Sequence, residues 1–135
     1  MNRREARKQA FLLLFQYYFQ PEDIQRLKDD FFEENKPGNQ REYIEKVVNG
    51  VVENCAEIDA RLDERSKDWS IDRLSPVCLA ALRLAVFEML YIDDIPYVVS
   101  VNEAVALVKE YDDEKAVAFA NGILGGVQKA VEDVK

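Results

Sequence analysis

The sequence contains no histidine and only two cysteines, Cys55 and Cys78, in 135 residues. Without histidine there is no Ser-His-Asp or Cys-His nucleophilic site, no HExxH zinc site and no imidazole pH switch. The two cysteines are in no CxxC spacing, which excludes a thiolate zinc site. Isolated in hydrophobic company, they read as reduced core residues of a cytoplasmic protein. Glycine (5) and proline (4) are scarce, and there is neither a Gly-rich phosphate loop nor a GxSxG turn. Long hydrophobic runs are missing too. The longest, Ala10 to Phe19, is broken by Gln16 and is about half the ~20 residues that span a bilayer. Its basic lead-in mimics a signal peptide, but Pro21, Glu22 and Asp23 follow where a small-residue cleavage site belongs. The expectation is a soluble cytoplasmic protein, one domain over 1–135.

What is present is helical periodicity, with no sustained period-two alternation. A first helix runs from Arg3 to Phe19, with Ala6, Ala10, Leu13, Leu14 and Tyr17 as its stripe and Phe11, Phe15 and Tyr18 widening it; Pro21 ends it. A short acidic helix covers Glu22 to Glu34, with Ile24, Leu27, Phe31 and Phe32 inward, and Lys36-Pro37-Gly38 turns the chain. Asn39 with Glu42 resembles a capping box opening a third helix, whose stripe from Ile44 to Leu62 continues for more than five turns. Ser66 to Leu74 connects, carrying the only tryptophan, Trp69. Ser75-Pro76 starts a helix to Tyr91 whose only charges are Arg83 and Glu88, so it is central to the core. Asp93-Asp94-Ile95-Pro96 breaks it. Ser100 with Glu103 reads as a second capping box, before Val101 to Tyr111. Asp112-Asp113-Glu114 then places negative charge at the start of a last helix to Val134, in which Gly125-Gly126 marks close packing or a bend. The fold class is all-α, a compact bundle of six or seven helices.

The carboxylate pairs Asp29-Asp30, Asp93-Asp94 and Asp112-Asp113 fall at helix ends or on polar faces and read as solvated charge or caps. The run Asp112-Asp113-Glu114 offers fewer oxygen ligands than metal binding would need. No catalytic residue, metal or cofactor is expected. Charge is more informative when divided. The total is -8, but residues 1–8 hold Arg3, Arg4, Arg7 and Lys8 against Glu5 alone, which is +3 and leaves -11 on the other 127 residues. Arg3 and Arg7 are four apart, as are Arg4 and Lys8, so a helix arranges them as adjacent basic rows beside its own positive N-terminus. A cationic patch on an acidic body is a footprint of phosphate binding, and arginine can both fork onto phosphate and stack on a base. A merely solubilising first turn is the other reading. In KAVAFANG, Lys115 and Phe119 are also four apart, with Asn121 close in sequence; a cation beside an aromatic suits an unpaired base and its phosphate. Phe119 read alone is more often a core residue.

These segments resemble the NusB family of transcription antitermination factors over nearly the whole chain. RREARKQAFLLLFQYY is similar to the family's RRxAR opening and apolar run, and YIEKVVNGVVEN (43–54) to YxxxLVxGVxEN. WSIDRLSPV, LRLAVFEMLY and DIPYVVSVNEAVALVKEY resemble its most typical stretch, and FANGILG (119–125) its FVNGVLD. The resemblance implies two packed helical halves, no catalysis, and binding of boxA, a single-stranded element of ribosomal RNA leaders. It implies a small-subunit ribosomal protein, NusE, as partner, and assembly on elongating RNA polymerase with NusA and NusG. By motif, Arg3, Arg4 and Arg7 match RNA-contacting arginines, with Lys8 in the same rows. Phe119 matches an aromatic at the RNA surface, and Lys115 and Asn121 are its neighbours. The ribosomal-protein contact maps to Asp72 and Arg73 and on to Cys78 and Leu79.

The sequence departs from the family at Cys78-Leu79, where an acidic and a basic residue are common. This removes a polar contact to the ribosomal protein or makes that interface more apolar. It also departs at Val98, in place of a common lysine, and at Gly125-Gly126, in place of a polar pair. Two other functions stay open. One is a protein-only acidic adaptor. The other is a NusB-like RNA-binding module of a ribosomal RNA methyltransferase, which needs a downstream catalytic domain where this chain ends at Lys135. A homodimer that hides the RNA face is also open.

Overall fold

The computed structural model describes residues 1–66 and 73–134, and among these every regular element is helical. Helix α1 spans Arg3–Phe19. The Asn2 side chain accepts from the Glu5 amide at 2.8 Å, satisfying one donor of the first turn. Ala6, Ala10, Phe11, Leu13 and Leu14 are buried on it. The stripe narrows toward its end: Phe15 and Tyr17 are half-buried and Tyr18 is exposed. Pro21–Asp23 form a 3-10 turn, so the second helix, α2, starts two residues later than expected, at Ile24–Glu34.

Three expectations are corrected here. Asn39 does not cap the third helix. It lies in a 3-10 turn, Gly38–Gln40, entered through Gly38 at φ +62°, and α3 (Arg41–Glu53) begins behind Gln40 with no side-chain cap. The long stripe from Ile44 to Leu62 is two helices. Asn54 leaves helical geometry (φ -112°, ψ 21°) and its Nδ2 donates to the Gly50 carbonyl at 2.8 Å, so α3 ends there and α4 (Cys55–Arg65) is a separate helix. A short amide that competes for backbone partners interrupts a helix without disturbing its apolar spacing. Nor is Ser100 a cap: α6 begins at Tyr97 behind Pro96 and runs to Tyr111, leaving Ser100 buried inside it.

Helix α5 (Pro76–Tyr91) starts as the sequence indicates. Ser75 Oγ accepts from the Cys78 amide at 3.0 Å and Pro76 fills the first turn. Eleven of its 16 residues are buried. It packs on α1, α3 and α4 on one side and on α6 and α7 (Glu114–Val134) on the other. The two helical halves, α1–α4 and α5–α7, therefore meet along α5. Gly50 makes one of these contacts possible: a Cβ there would lie 2.1 Å from the Phe87 ring. Helix α7 runs through Gly125-Gly126 unbroken. A Cβ on Gly125 would meet nothing within 4 Å, and one on Gly126 only the Arg65 side chain, at 3.2 Å.

Both charges of α5 have partners. Arg83 makes two 2.9 Å bonds to the Asp59 carboxylate of α4. Glu88, with no exposed surface, accepts from Arg7 Nε at 2.9 Å, from Ser100 Oγ at 2.7 Å and from the Tyr43 hydroxyl. One carboxylate thereby ties α1, α3 and α6 to α5. Among the described residues no buried side-chain polar atom lacks a partner. None of the described helices is long and apolar enough to cross a membrane.

Candidate nucleic-acid interface

Helical spacing separates the four cations of α1 into two rows, and the neighbouring helices give the rows different roles. Arg3 and Arg7 face α3. Arg3 Nε donates to Gln40 Oε1 at 2.8 Å and its guanidinium lies 4.2 Å from the centre of the Tyr43 ring. Arg7 lies one turn deeper, 5.7 Å from the same ring, and is only 5% exposed. Of the arginines matched by motif to RNA contacts, Arg7 is therefore not a surface cation: its guanidinium is sequestered on Glu88, with Glu103 3.8 Å away. Burial alone would lower its pKa, but the bond and charge contact with Glu88 outweigh this and raise it, so Arg7 keeps its charge. Burial first, then the Glu88 charge, raises the Tyr43 hydroxyl well above the usual phenol range, which keeps it a donor to that carboxylate.

Arg4 and Lys8 form the outer row, against α6. Arg4 Nε is 3.1 Å from Glu103 Oε1 and its side chain is 81% exposed. Lys8 Nζ is 2.9 Å from Glu110 Oε1 and 5.6 Å from the centre of the Tyr111 ring. The N-terminal charge excess is thus real in sequence, but each of its cations already has a partner.

The second cluster adjoins the first through the end of α6. Glu110 and Tyr111 meet Lys8, and the next residues, Asp112 and Asp113, line a cleft of about 480 Å³ between the starts of α5 and α7. Asp113 caps α7 by accepting from the Ala116 amide at 2.8 Å. Asp112 Oδ2 accepts from Ser75 Oγ at 2.5 Å, which fastens the two helix starts together. Lys115, Phe119 and Arg73 line the same cleft. Lys115 and Arg73 are exposed, and Phe119 is half-buried with one side against the core. Asn121 is exposed but does not line the cleft, because a separation of two residues turns it to a different face from Phe119.

Of the expected partner-binding residues, Arg73 is at the surface and Asp72, like Trp69, lies outside the described residues. Cys78 and Leu79 are buried, at 1% and 4% exposure, and Cys78 forms part of the wall of the cleft beside Arg73. Burial, then the charges of Asp112 and Asp113, pushes the Cys78 thiol up to about 12, and burial also raises Cys55, which is half-buried. Neither is a thiolate at neutral pH, so neither is an activated nucleophile. Among the described residues no cluster of acids and cysteines could hold a metal ion.

Glu88, Tyr43 and Ser100, which seat Arg7, and Glu103 and Glu110, which pair the outer row, were not singled out from sequence as parts of this region. Glu88 did carry a signal: a lone acid in an otherwise apolar helix needs a buried partner. Glu103 and Glu110 carried none, since acids on a polar helix face are ordinary.

The sequence profile described as NusB family matches residues 4–129. The transcription antitermination protein NusB of Acetivibrio thermocellus is 44% identical over 130 residues, covering 96% of this chain and 90% of that one. NusB of T. maritima superposes with a TM-score of 0.88 at 33% identity, over 96% of this chain and 92% of the other. A chain from a crystal structure of the antitermination factors NusB and NusE in complex with double-stranded RNA superposes at 0.84 with 36% identity, over 95% and 96%.

Proposed function

The chain belongs to the NusB family, and from this we propose that it is a transcription antitermination factor that binds boxA-type single-stranded RNA of ribosomal RNA leaders together with a small-subunit ribosomal protein acting as NusE. In this reading the complex joins elongating RNA polymerase with NusA and NusG in the cytoplasm, and the whole chain acts as one RNA- and protein-binding domain without catalysis or cofactor.

The observation that carries the reading is the juncture at the end of α6, where Lys8 of α1 meets Glu110 and Tyr111 and the chain leads directly into the cleft of Lys115 and Phe119. Arg3, Arg4 and Lys8 supply phosphate attraction. Lys115 extends the cationic track, Phe119 stacks an unpaired base, and Asn121 reaches nucleotides that pass along the outer face of α7. Arg7 serves from within, holding α1 at the angle that presents its neighbours. Arg73, at the wall of the same cleft, offers the polar start of the ribosomal-protein contact, and Asp72, its neighbour in sequence, is assigned to that contact as well.

Binding governed by phosphate contacts weakens with salt, with a slope of about -0.7 in log K against log salt for each phosphate neutralised on a single strand. The test is a titration of labelled boxA RNA at several salt concentrations with the wild type and with the Arg4→Glu, Lys8→Glu double variant. The reading predicts a steep slope and loss of RNA affinity in a variant that still folds.

The internal pairing of Arg4 and Lys8 favours a second reading, a protein-only acidic adaptor whose cations serve the fold. That reading predicts a flat salt response, with partner binding intact in the double variant.

A further inference from the structure

If α1 presents cations to RNA, the RNA does not find them vacant. Glu103 and Glu110 lie two turns apart on α6 and reach across to Arg4 and Lys8 along a groove of about 330 Å³ between α1 and α6. Each carboxylate occupies donors that a phosphate oxygen would take. The arrangement differs from the buried Arg7–Glu88 pair in one decisive respect, exposure. The Lys8 and Glu110 side chains are 32% and 49% exposed, against 6% and 1% for Arg7 and Glu88. A pair open to water is weak and exchanges readily, whereas a buried one does not. The Lys8 charge is secured by the hydrogen bond to Glu110 and then by Tyr111, which together raise its pKa above the ordinary lysine range.

We propose that Glu110, assisted by Glu103, is an intramolecular competitor for RNA phosphate, a carboxylate seated on the outer basic row that the strand must displace in order to bind. The inference rests on the reading of α1 as the RNA face and deepens it by naming what sets that face's selectivity. A lone phosphate displaces one acid and leaves the other pair intact. A strand that reaches both cations displaces both acids, and its second contact forms at the high effective concentration set by the first. The device therefore suppresses weak binding to isolated anions while retaining binding to an extended strand. It also makes the salt response shallower, because two carboxylates remain beside the bound phosphates and oppose the charge of the cations.

The experiment is a double-mutant cycle on Glu110→Gln and Lys8→Ala, read by fluorescence anisotropy of a labelled single-stranded boxA oligonucleotide with the ribosomal-protein partner present. Melting temperatures confirm that each variant folds. The proposal predicts that Glu110→Gln binds RNA about two- to five-fold more tightly than wild type, with a steeper salt slope, and that the gain disappears in the Lys8→Ala background. An equal gain with and without Lys8 makes Glu110 a distant charge and overturns the proposal. So does an unchanged affinity in Glu110→Gln while Lys8→Ala weakens binding, and in that case the RNA reading stands. If Lys8→Ala and Arg4→Ala both bind RNA as wild type does, the reading of α1 as the RNA face fails, and the competitor role fails with it.

Discussion

Arg4 and Arg7 are three residues apart on one helix and perform different tasks. Arg4 is an exposed side chain in a surface ion pair, and its replacement by alanine is expected to change stability by no more than about 0.5 kcal/mol. Arg7 is the cationic half of a buried pair whose carboxylate also accepts from Tyr43 and Ser100. Arg7→Ala leaves that carboxylate buried and unpaired, at a cost of about 3–5 kcal/mol. Chemical denaturation of the two variants checks the contrast: a large loss of stability in Arg7→Ala alone is the expected result, and equal losses would contradict it. Cys78 allows a second check. Its thiol rises from 9.0 to about 12 in the fold. The folded state therefore keeps a proton that the unfolded chain releases, and stability present below pH 9 is lost as pH climbs from 9 toward 12. Cys78→Ala is expected to flatten the fall of stability over that window, while lowering stability at neutral pH because a buried side chain is lost. Sequence spacing correctly placed Arg3 with Arg7 and Arg4 with Lys8, since four residues make a helical turn. It could not tell which row faces inward, because that depends on where Glu88 of α5 and Glu103 of α6 end up, and both are distant in the chain.

At the scale of elements, small local choices decide where the helices begin, bend and touch. Gly50 lets α3 approach α5, and a Cβ at that position collides with the Phe87 ring. Gly50→Ala is expected to lower stability by about 1–3 kcal/mol through overpacking, despite alanine's better helix propensity. Gly125→Ala makes the opposite case. The added methyl meets open space on a continuous helix, so a gain of up to about 1 kcal/mol is expected. Thermal melts of the pair separate contact from propensity, and shifts of the same sign would refute the distinction. Helix starts were legible where the cap is local: Ser75-Pro76 and Asp113 behave as their chemistry dictates. Ser100 and Asn39 misled because the same side chains serve other ends. The Ser100 hydroxyl is committed to Glu88, and Asn39 lies in a turn set by Gly38. The break at Asn54 was hidden for a related reason: apolar periodicity continues across it, and only the backbone of Asn54 and its amide bond to Gly50 mark the end of α3.

At the scale of the whole molecule, the relevant quantity is where the charge lies. An acidic body disfavours nonspecific anions, and its basic N-terminal turn carries the exposed cations, of which Lys8 reaches the end of α6 that leads into the cleft of Lys115 and Phe119. The all-α class and the central place of α5 could be read from the sequence, because a helix with only two charges among 16 residues must be surrounded. The assembly of the site could not, since the contact that joins its two parts, Lys8 with Glu110 of α6, links residues 102 positions apart in the chain. The account holds that this surface is half of a composite one, completed by the ribosomal protein. The most direct test is equilibrium binding of boxA RNA to the chain alone, to the ribosomal protein alone, and to both together at one salt concentration. The account predicts that the two proteins together bind far more tightly than either does alone, with the gain lost in the Arg4→Glu, Lys8→Glu variant. Equal affinity with and without the partner would contradict it.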